Sequence, residues 1–338
     1  MISALGRSSL GQASAWVDHR AGLGSRLTVE NGVRLEFGTA RGLDAIRPAA
    51  SAQALFAVSP DTRASSGASR VHQYVQAVDV PAVGQGQTPP ASWITSGGNV
   101  PVMTVDNAMV GIEHWAGAGV LLAANTYLRH TSGAIASDPT PGPLLRRPLF
   151  VLATESASGV EVTARKLTGR STGLLAYSYG NATMRASGLS FPAPSSRTHA
   201  LDAALSLRAG GFSLGGAYTL TSGAPYTRTV LAAALGGSAT SVASQVPVRE
   251  APNAQRLPAY ESLDVSLDYT RVARGIAFIG FAGAQNVLSR TNSTWYEISG
   301  YCEGGQTPLV ASPQCRDHDL LQAPVKLVPT IGLRLVVR

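Results

Sequence analysis

Cys302 and Cys315 lie close together inside "YCEGGQTPLVASPQCRDHD". In an oxidising compartment, a close cysteine pair in a Gly/Pro-rich segment reads as a disulfide pinning that loop. A metal site built from Cys302, Cys315 and His318 is the rival reading, although three such residues are fewer ligands than a closed tetrahedral site takes. A pair of free thiols is the third. The six histidines, His19, His72, His114, His130, His199 and His318, are scattered, and none pairs at ligand spacing on one strand face. Asp264 and Asp268 share one face of a period-two segment and could do acid/base work, but the electrostatics of a wet interior explains them more simply. No G-x-S-x-G, Walker or Rossmann fingerprint occurs. The expectation is a protein that is not an enzyme, with no catalytic residue, no cofactor and no resident metal.

Composition says what must position these residues. The chain has 338 residues, of which 44% are hydrophobic and only 14% charged, against a usual charged share of about 25%. A water-soluble protein of this size solvates its exterior with charges, so the shortage implies an exterior that is largely not in water. No window holds the roughly 18 consecutive apolar residues that a membrane-spanning helix needs. The other structure that satisfies every backbone hydrogen bond in lipid is a closed β-barrel, whose signature is alternation. The formal charge of +7 suggests nucleic acid at first sight, but the arginines are dispersed and aromatics make up 6%. An outer leaflet rich in anionic lipopolysaccharide, or a lumen that attracts anionic chelates, fits better, and no nucleic-acid partner is expected.

Period two is present when counted. From Arg26 to Phe37 the residues Leu27, Val29, Val33, Leu35 and Phe37 oppose Arg26, Thr28, Glu30, Gly32, Arg34 and Glu36, with Asn31 the single miss. Leu201 to Arg208 repeats the pattern and continues past Gly210-Gly211 as Phe212, Leu214, Tyr218 and Leu220, which reads as a hairpin. "ESLDVSLDY" sets Leu263, Val265, Leu267 and Tyr269 against Ser262, Asp264, Ser266 and Asp268. The C-terminus does the same with Leu333, Leu335 and Val337 against Gly332 and Arg334. Further segments of similar kind fall at 13–22, 50–58, 108–115, 120–129, 159–167 and 173–181, with weaker stretches at 149–154, 276–287 and 294–299. The sum is an all-β, antiparallel transmembrane barrel wall of about 14 to 16 strands. Polar faces that mix acids, arginines, Ser, Thr and Gly read as lumen. Arg34, Glu36, Arg165, Arg208, Asp264, Asp268 and Arg334 are the candidate lumen-facing residues. In "AFIGFAGAQNVLSRTNSTWYEISGYC", Gly280 and Gly283 read as bends or close backbone approaches. Gln285 and Asn286 then sit at the water boundary, "VLSRTN" is a short turn, and Trp295 and Tyr296 open the returning strand at headgroup depth.

The same stretch, followed by a loop and "LVPTIGLRLVV", resembles the C-terminal end of TonB-dependent outer-membrane receptors. Earlier segments keep the family's order: "GVRLEF", "IRPAASAQALF", "SGAPYT" before a long loop, and "RLPAYESLDVSLDY". The resemblance implies residence in the bacterial outer membrane, with lipid and lipopolysaccharide outside. It implies energy-coupled uptake of a scarce ligand such as a ferric siderophore, vitamin or oligosaccharide. It also implies part of a barrel of about 22 strands, coupled to the TonB complex through a plug. Here "MISALGRSSLGQASAW" reads as neither signal peptide nor plug, so residues 1–338 are expected to be one partial barrel domain. A complete smaller diffusion porin of about 16 strands is the alternative from the strand count alone.

Overall fold

The computed structural model describes residues 10–40, 43–79, 91–143, 150–233, 245–293, 299–302, 315–318 and 326–337. Among them there is no helix. Alternating side chains suit a pleated backbone with two unlike faces, and the chain folds as an antiparallel meander. β1 (Leu10–Leu23), β2 (Leu27–Ala40), β3 (Leu43–Ser59) and β4 (Thr62–Gln73) pair in order. A ribbon of β5 (Val75–Asp79) and β6 (Ala91–Thr95) then leaves the wall before β7 (Met103–Trp115) returns beside β4. β8 (Val120–Ser137) follows, then the two-residue β9 (Gly142–Pro143) outside the wall, then β10 (Phe150–Lys166) and β11 (Ser171–Ala186). Short β12 (Leu189–Pro192) folds back on β11 before β13 (His199–Ala209) and β14 (Phe212–Thr221). The next excursion carries β15 (Pro225–Tyr226), β16 (Thr229–Ala233), β17 (Gln245–Arg249) and β18 (Gln255–Arg256). β19 (Tyr260–Ala273) and β20 (Ile276–Gln285) rejoin the wall. A ribbon of β21 (Ser299–Cys302) and β22 (Cys315–His318) precedes β23 (Val328–Val337), which pairs with β20. The main sheet has 14 strands, within the expected range. Among the described residues, β1 pairs only with β2 and β23 only with β20.

The register divides the sheet into two faces, with shifts between Ala57 and Ser59 on β3 and between Ala153 and Glu155 on β10. Val33 opposes Ala50, Leu128 opposes Ser158, Leu201 opposes Leu220, Leu214 opposes Leu267, and Gly280 opposes Leu333, all on one side. That side is apolar and exposed: Ile331 and Leu333 each keep 86% of their surface accessible, and Val33 57%. The opposite side carries most of the acids and arginines, although Arg70, Asp106, Glu261 and Arg271 lie on the apolar one. The buried apolar core lies on the same side as Glu155, Glu161 and Arg165, at the loop end of the sheet, where Ala182 opposes Ala157 and Met184 opposes Glu155. It sits where β8, β10, β11 and β12 extend toward the long loops, as Ala134, Ala153, Met184, Phe191 and Ala193, with a second cluster of Val78, Ile94, Val100, Ile135 and Phe150 under the β5–β6 ribbon.

Turns at one end of the sheet are short. The connections β1–β2, β3–β4, β7–β8, β10–β11, β13–β14 and β19–β20 span at most four residues. Gly210, at φ 59, closes the β13–β14 hairpin in a conformation that L side chains rarely adopt. Every long excursion leaves from the other end.

Three expectations change. β4 has no counterpart among the expected segments, because "TRASSGASRVHQ" is small and polar on both faces. The segments 149–154 and 159–167 are one strand, β10, whose register shifts between Ala153 and Glu155. Residues 294–298, including Trp295 and Tyr296, lie outside the described residues, and β20 pairs directly with β23, so no wall strand stands between them. The loop after β14 and the β21–β22 ribbon therefore leave from the same end. The turn at Val287 to Arg290 is present: Asn286 Nδ2 donates to the Arg290 carbonyl (2.9 Å), and the Arg290 N–H donates to Asn286 Oδ1 (3.1 Å). Gly283 is a close approach, since a Cβ there would lie 2.9 Å from the Val265 carbonyl oxygen, whereas Gly280 has open room with nothing nearer than Leu333 Cδ2 at 3.6 Å.

Candidate functional site: the polar face and the loops above it

All seven residues proposed from the sequence fall on the polar face. Arg34 and Glu36 alternate with Val33 and Leu35 on β2. Arg165 opposes Leu174, which leads through Ala204 and Ala217 to Asp264 in one row. Arg208 opposes Ser213, which opposes Asp268, and Arg334 opposes Ile279, which opposes Thr270. Placement is shared, but bonding is not. Arg165, Arg208 and Arg334 form no ion pair among the described residues, so these cations are left to the space in front of the wall.

Arg34 is the best connected of the seven. Its Nη2 donates to Ser14 Oγ (2.8 Å), its Nε lies 3.6 Å from Glu36 Oε1, and its guanidinium sits 5.8 Å from the Trp16 ring centroid. Glu36 is only 5% exposed and opposes Arg47 across the β2–β3 ladder. Tyr74, 2% exposed, lies over Gly38, where a Cβ would come 2.3 Å from its Cε1. Glu36 Oε2, Arg47 Nε and Tyr74 Oη are buried without a hydrogen-bond partner among the described residues. Buried polar groups of this kind need partners, and the three come together where the β5–β6 ribbon leaves the wall. Asp264 is a structural anchor: its Oδ1 accepts from Ser262 Oγ (2.8 Å) and from the Asn286 N–H (2.8 Å), fixing the end of β20.

Sequence reading misses several members of this face. Arg20 pairs with Glu30 at 3.1 Å, and Arg129 Nε donates to Asn107 Oδ1 (3.1 Å). Both pairs join strands whose register a single sequence does not specify, so only the alternation of each segment points to them. A groove of ≈ 730 Å³ runs along β1 to β8, lined by Asp18, Arg20, Glu30, Gln53, Asn107 and Arg129. A second, of ≈ 420 Å³, holds Asp264, Ser266 and Asp268. Both suit water and hydrophilic solutes.

The long loops form folded structure of their own. β16, β17 and β9 make a three-stranded sheet that ties the loop after β14 to the loop after β8, over the strands between them. Arg249, largely buried, donates from Nη1 to the Asp138 carbonyl, and burial depresses the pKa of its guanidinium, with Asp138 opposing that shift. Asn253 Nδ2 donates to the Pro192 carbonyl (2.7 Å), and Arg256 Nη1 donates to the carbonyls of Ser196 (3.3 Å) and Gly223 (3.0 Å). In the last excursion, Cys302 and Cys315 are register partners in the β21–β22 ladder.

No protein-family model and no curated protein matches this sequence. Solved structures do. The ferric citrate transporter FecA in its unliganded form aligns with a TM-score of 0.61 at 12% identity, over 97% of this chain and 45% of that one. The ferric yersiniabactin uptake receptor FyuA from Yersinia pestis gives 0.59 at 14% identity, over 97% and 45%. The outer membrane transporter YddB from Escherichia coli gives 0.58 at 9% identity, over 96% and 45%. The chain thus spans less than half the length of each protein it resembles, and at these identities the likeness is one of fold: an antiparallel wall of the outer-membrane transporter type.

Proposed function

We propose that this chain is barrel wall of an outer-membrane receptor that takes up a scarce ligand by energy-coupled transport, and that it is not an enzyme. The observation that carries the reading is the two-faced wall: most positions on one face, from Val33 to Leu333, are apolar and exposed, and most of the charged side chains lie on the other. A sheet of this kind satisfies lipid on one side and water on the other, so the polar face, with Arg34, Glu36, Arg165, Arg208, Asp264, Asp268 and Arg334, lines the lumen. The long loops then stand outside the cell and the short turns in the periplasm, as the family resemblance implies. The solved transporters to which the wall is similar support a ferric or metal chelate as ligand class, with vitamins and oligosaccharides as the wider set. A plug domain and the TonB complex supply gate and energy from outside these 338 residues. The Cys302–Cys315 pair is proposed to be a disulfide pinning its loop.

The test compares cells with and without the gene for uptake of chelated iron, cobalamin and oligosaccharides, before and after energy coupling is abolished. Loss of one ligand's uptake in both cases supports the receptor. Energy-independent, size-limited diffusion with steady ion conductance in planar bilayers overturns it in favour of a porin.

A further inference from the structure

Two loop segments beside β11 to β14 concentrate positive charge. Residues 186–200 and 222–260 hold four arginines, Arg197, Arg228, Arg249 and Arg256, against a single acid, Glu250. Two of the four have partners that account for them: Arg228 pairs with Glu250 at 3.8 Å, and Arg249 donates to the Asp138 carbonyl. Arg197, in the link between β12 and β13, and Arg256, on β18, are exposed and form no ion pair among the described residues.

Although β18 belongs to the loop after β14, these two side chains meet. Arg197 Nη1 donates to the carbonyls of Pro194 (3.3 Å) and Ser196 (3.5 Å), and Arg256 Nη1 donates to those of Ser196 (3.3 Å) and Gly223 (3.0 Å). Two cations thus share one carbonyl oxygen. Partial desolvation first, and then the charge of Arg256, lower the pKa of the Arg197 guanidinium, and no carboxylate opposes the shift. Each group uses only Nη1. The Nε and Nη2 edge is the fork with which Arg70 grips both oxygens of Asp106. In Arg197 and Arg256 that fork has no acceptor among the described residues. Ser196 is 3% exposed, and its Oγ is buried without a hydrogen-bond partner among the described residues, although a buried hydroxyl ordinarily has one. A carboxylate has oxygens for one fork. A phosphate has oxygens for two, and its charge of about −1.5 to −2 at neutral pH matches two guanidinium groups.

We propose that Arg197, Arg256 and Ser196 form a phosphate site, the two forks taking oxygens in pairs and Ser196 Oγ donating to one of them. The occupant is inorganic phosphate or the phosphoryl group of a larger solute. Because Arg197 stands in the β12–β13 link and Arg256 in the loop after β14, the bound anion also fastens that loop to the wall. The site does not rest on the transport reading, since its residues lie in the loops.

The experiment titrates the purified full chain, in neutral detergent at low salt, with inorganic phosphate, glycerol phosphate and acetate. Both phosphates are expected to bind about tenfold or more tighter than acetate. Arg197→Gln should raise their Kd about tenfold, in keeping with loss of a charge-assisted fork, while leaving the Arg256 contacts that hold the loop. Arg197→Lys should recover little, because an ammonium keeps the charge without the fork. Ser196→Ala should raise the Kd several-fold, and Lys166→Gln, which removes a like charge at the turn end, should change nothing. Whichever phosphate binds more tightly names the source, a free ion or a larger solute, and either sustains the site. No phosphate binding by the parent, equal binding of acetate, or unchanged affinity in the Arg197→Gln/Arg256→Gln protein would overturn it.

Discussion

Tyr127 and Gly159 oppose each other on the polar face of β8 and β10, and their contact makes a quantitative prediction. A Cβ at position 159 would lie 2.7 Å from Tyr127 Cε1 and 2.7 Å from the Tyr179 carbonyl oxygen, both inside van der Waals contact. The ring can swing away. The carbonyl belongs to the β10–β11 ladder and moves only with the strand. Burying one added methyl gains about 0.8 kcal/mol and removing a strand glycine about 0.5–1 kcal/mol, while overpacking against a carbonyl fixed in the ladder costs about 3 kcal/mol, the upper end of its range, so Gly159→Ala should lose about 1–2 kcal/mol. Gly280→Ala is the matched control: its nearest neighbour is 3.6 Å away, and removing a strand glycine should gain about 0.5–1 kcal/mol. Urea unfolding in phosphocholine micelles reads both as midpoint shifts at constant slope. Pairing Tyr127→Ala with Gly159→Ala should give less than additive loss, because the ring's share of the clash is gone. A Gly159→Ala protein at least as stable as the parent would refute the reasoning.

Other outcomes follow from single features. Arg34→Gln, Arg165→Gln and Arg208→Gln together should slow uptake of an anionic ligand several-fold with a reduced salt dependence; unchanged uptake would remove the lumen cations from the account. Alkylation of the unreduced protein should label neither Cys302 nor Cys315, and both should become labelled after reduction; labelling without reductant would show free thiols. Arg249→Met removes the donor to the Asp138 carbonyl and should cost about 1.5–3 kcal/mol locally. It should be seen as faster amide exchange in residues 138–143 and 245–249 with the wall unchanged.

Alternation makes most of the wall legible from the amino-acid sequence alone. β13, β14 and β19 read cleanly because large apolar residues occupy most outward positions and Ser, Asp or Arg many of the inward ones. β4 does not, because its outward residues are Thr62, Ala64, Ser66, Ala68, Arg70 and His72, a set with no hydrophobic contrast. The grooves on the polar face are hidden as well, since their members lie on several strands and meet only through register. In β10, Gly159 and the register shift after Ala153 divide one strand into two apparent segments. The extra strand expected at 294–299 comes from reading Trp295 and Tyr296 as a membrane belt, a reading that an aromatic pair alone does not secure. Among site residues, face is predictable from parity, but partners are not. Glu36 with Arg47, and Tyr74 over Gly38, depend on which strands adjoin, and a single sequence carries no such information.

A transmembrane barrel wall has lipid on one side and water on the other. Spin labels on the protein in outer-membrane vesicles test it, placed singly in a background with Cys302 and Cys315 replaced by serine, at Leu205, Leu214 and Leu267 outward and at Ser206, Ser213 and Ser266 inward. The account predicts that oxygen relaxes the outward labels and a water-soluble nickel chelate the inward ones, alternating residue by residue. Nickel access at Leu205, Leu214 and Leu267 equal to that at their serine neighbours would contradict it.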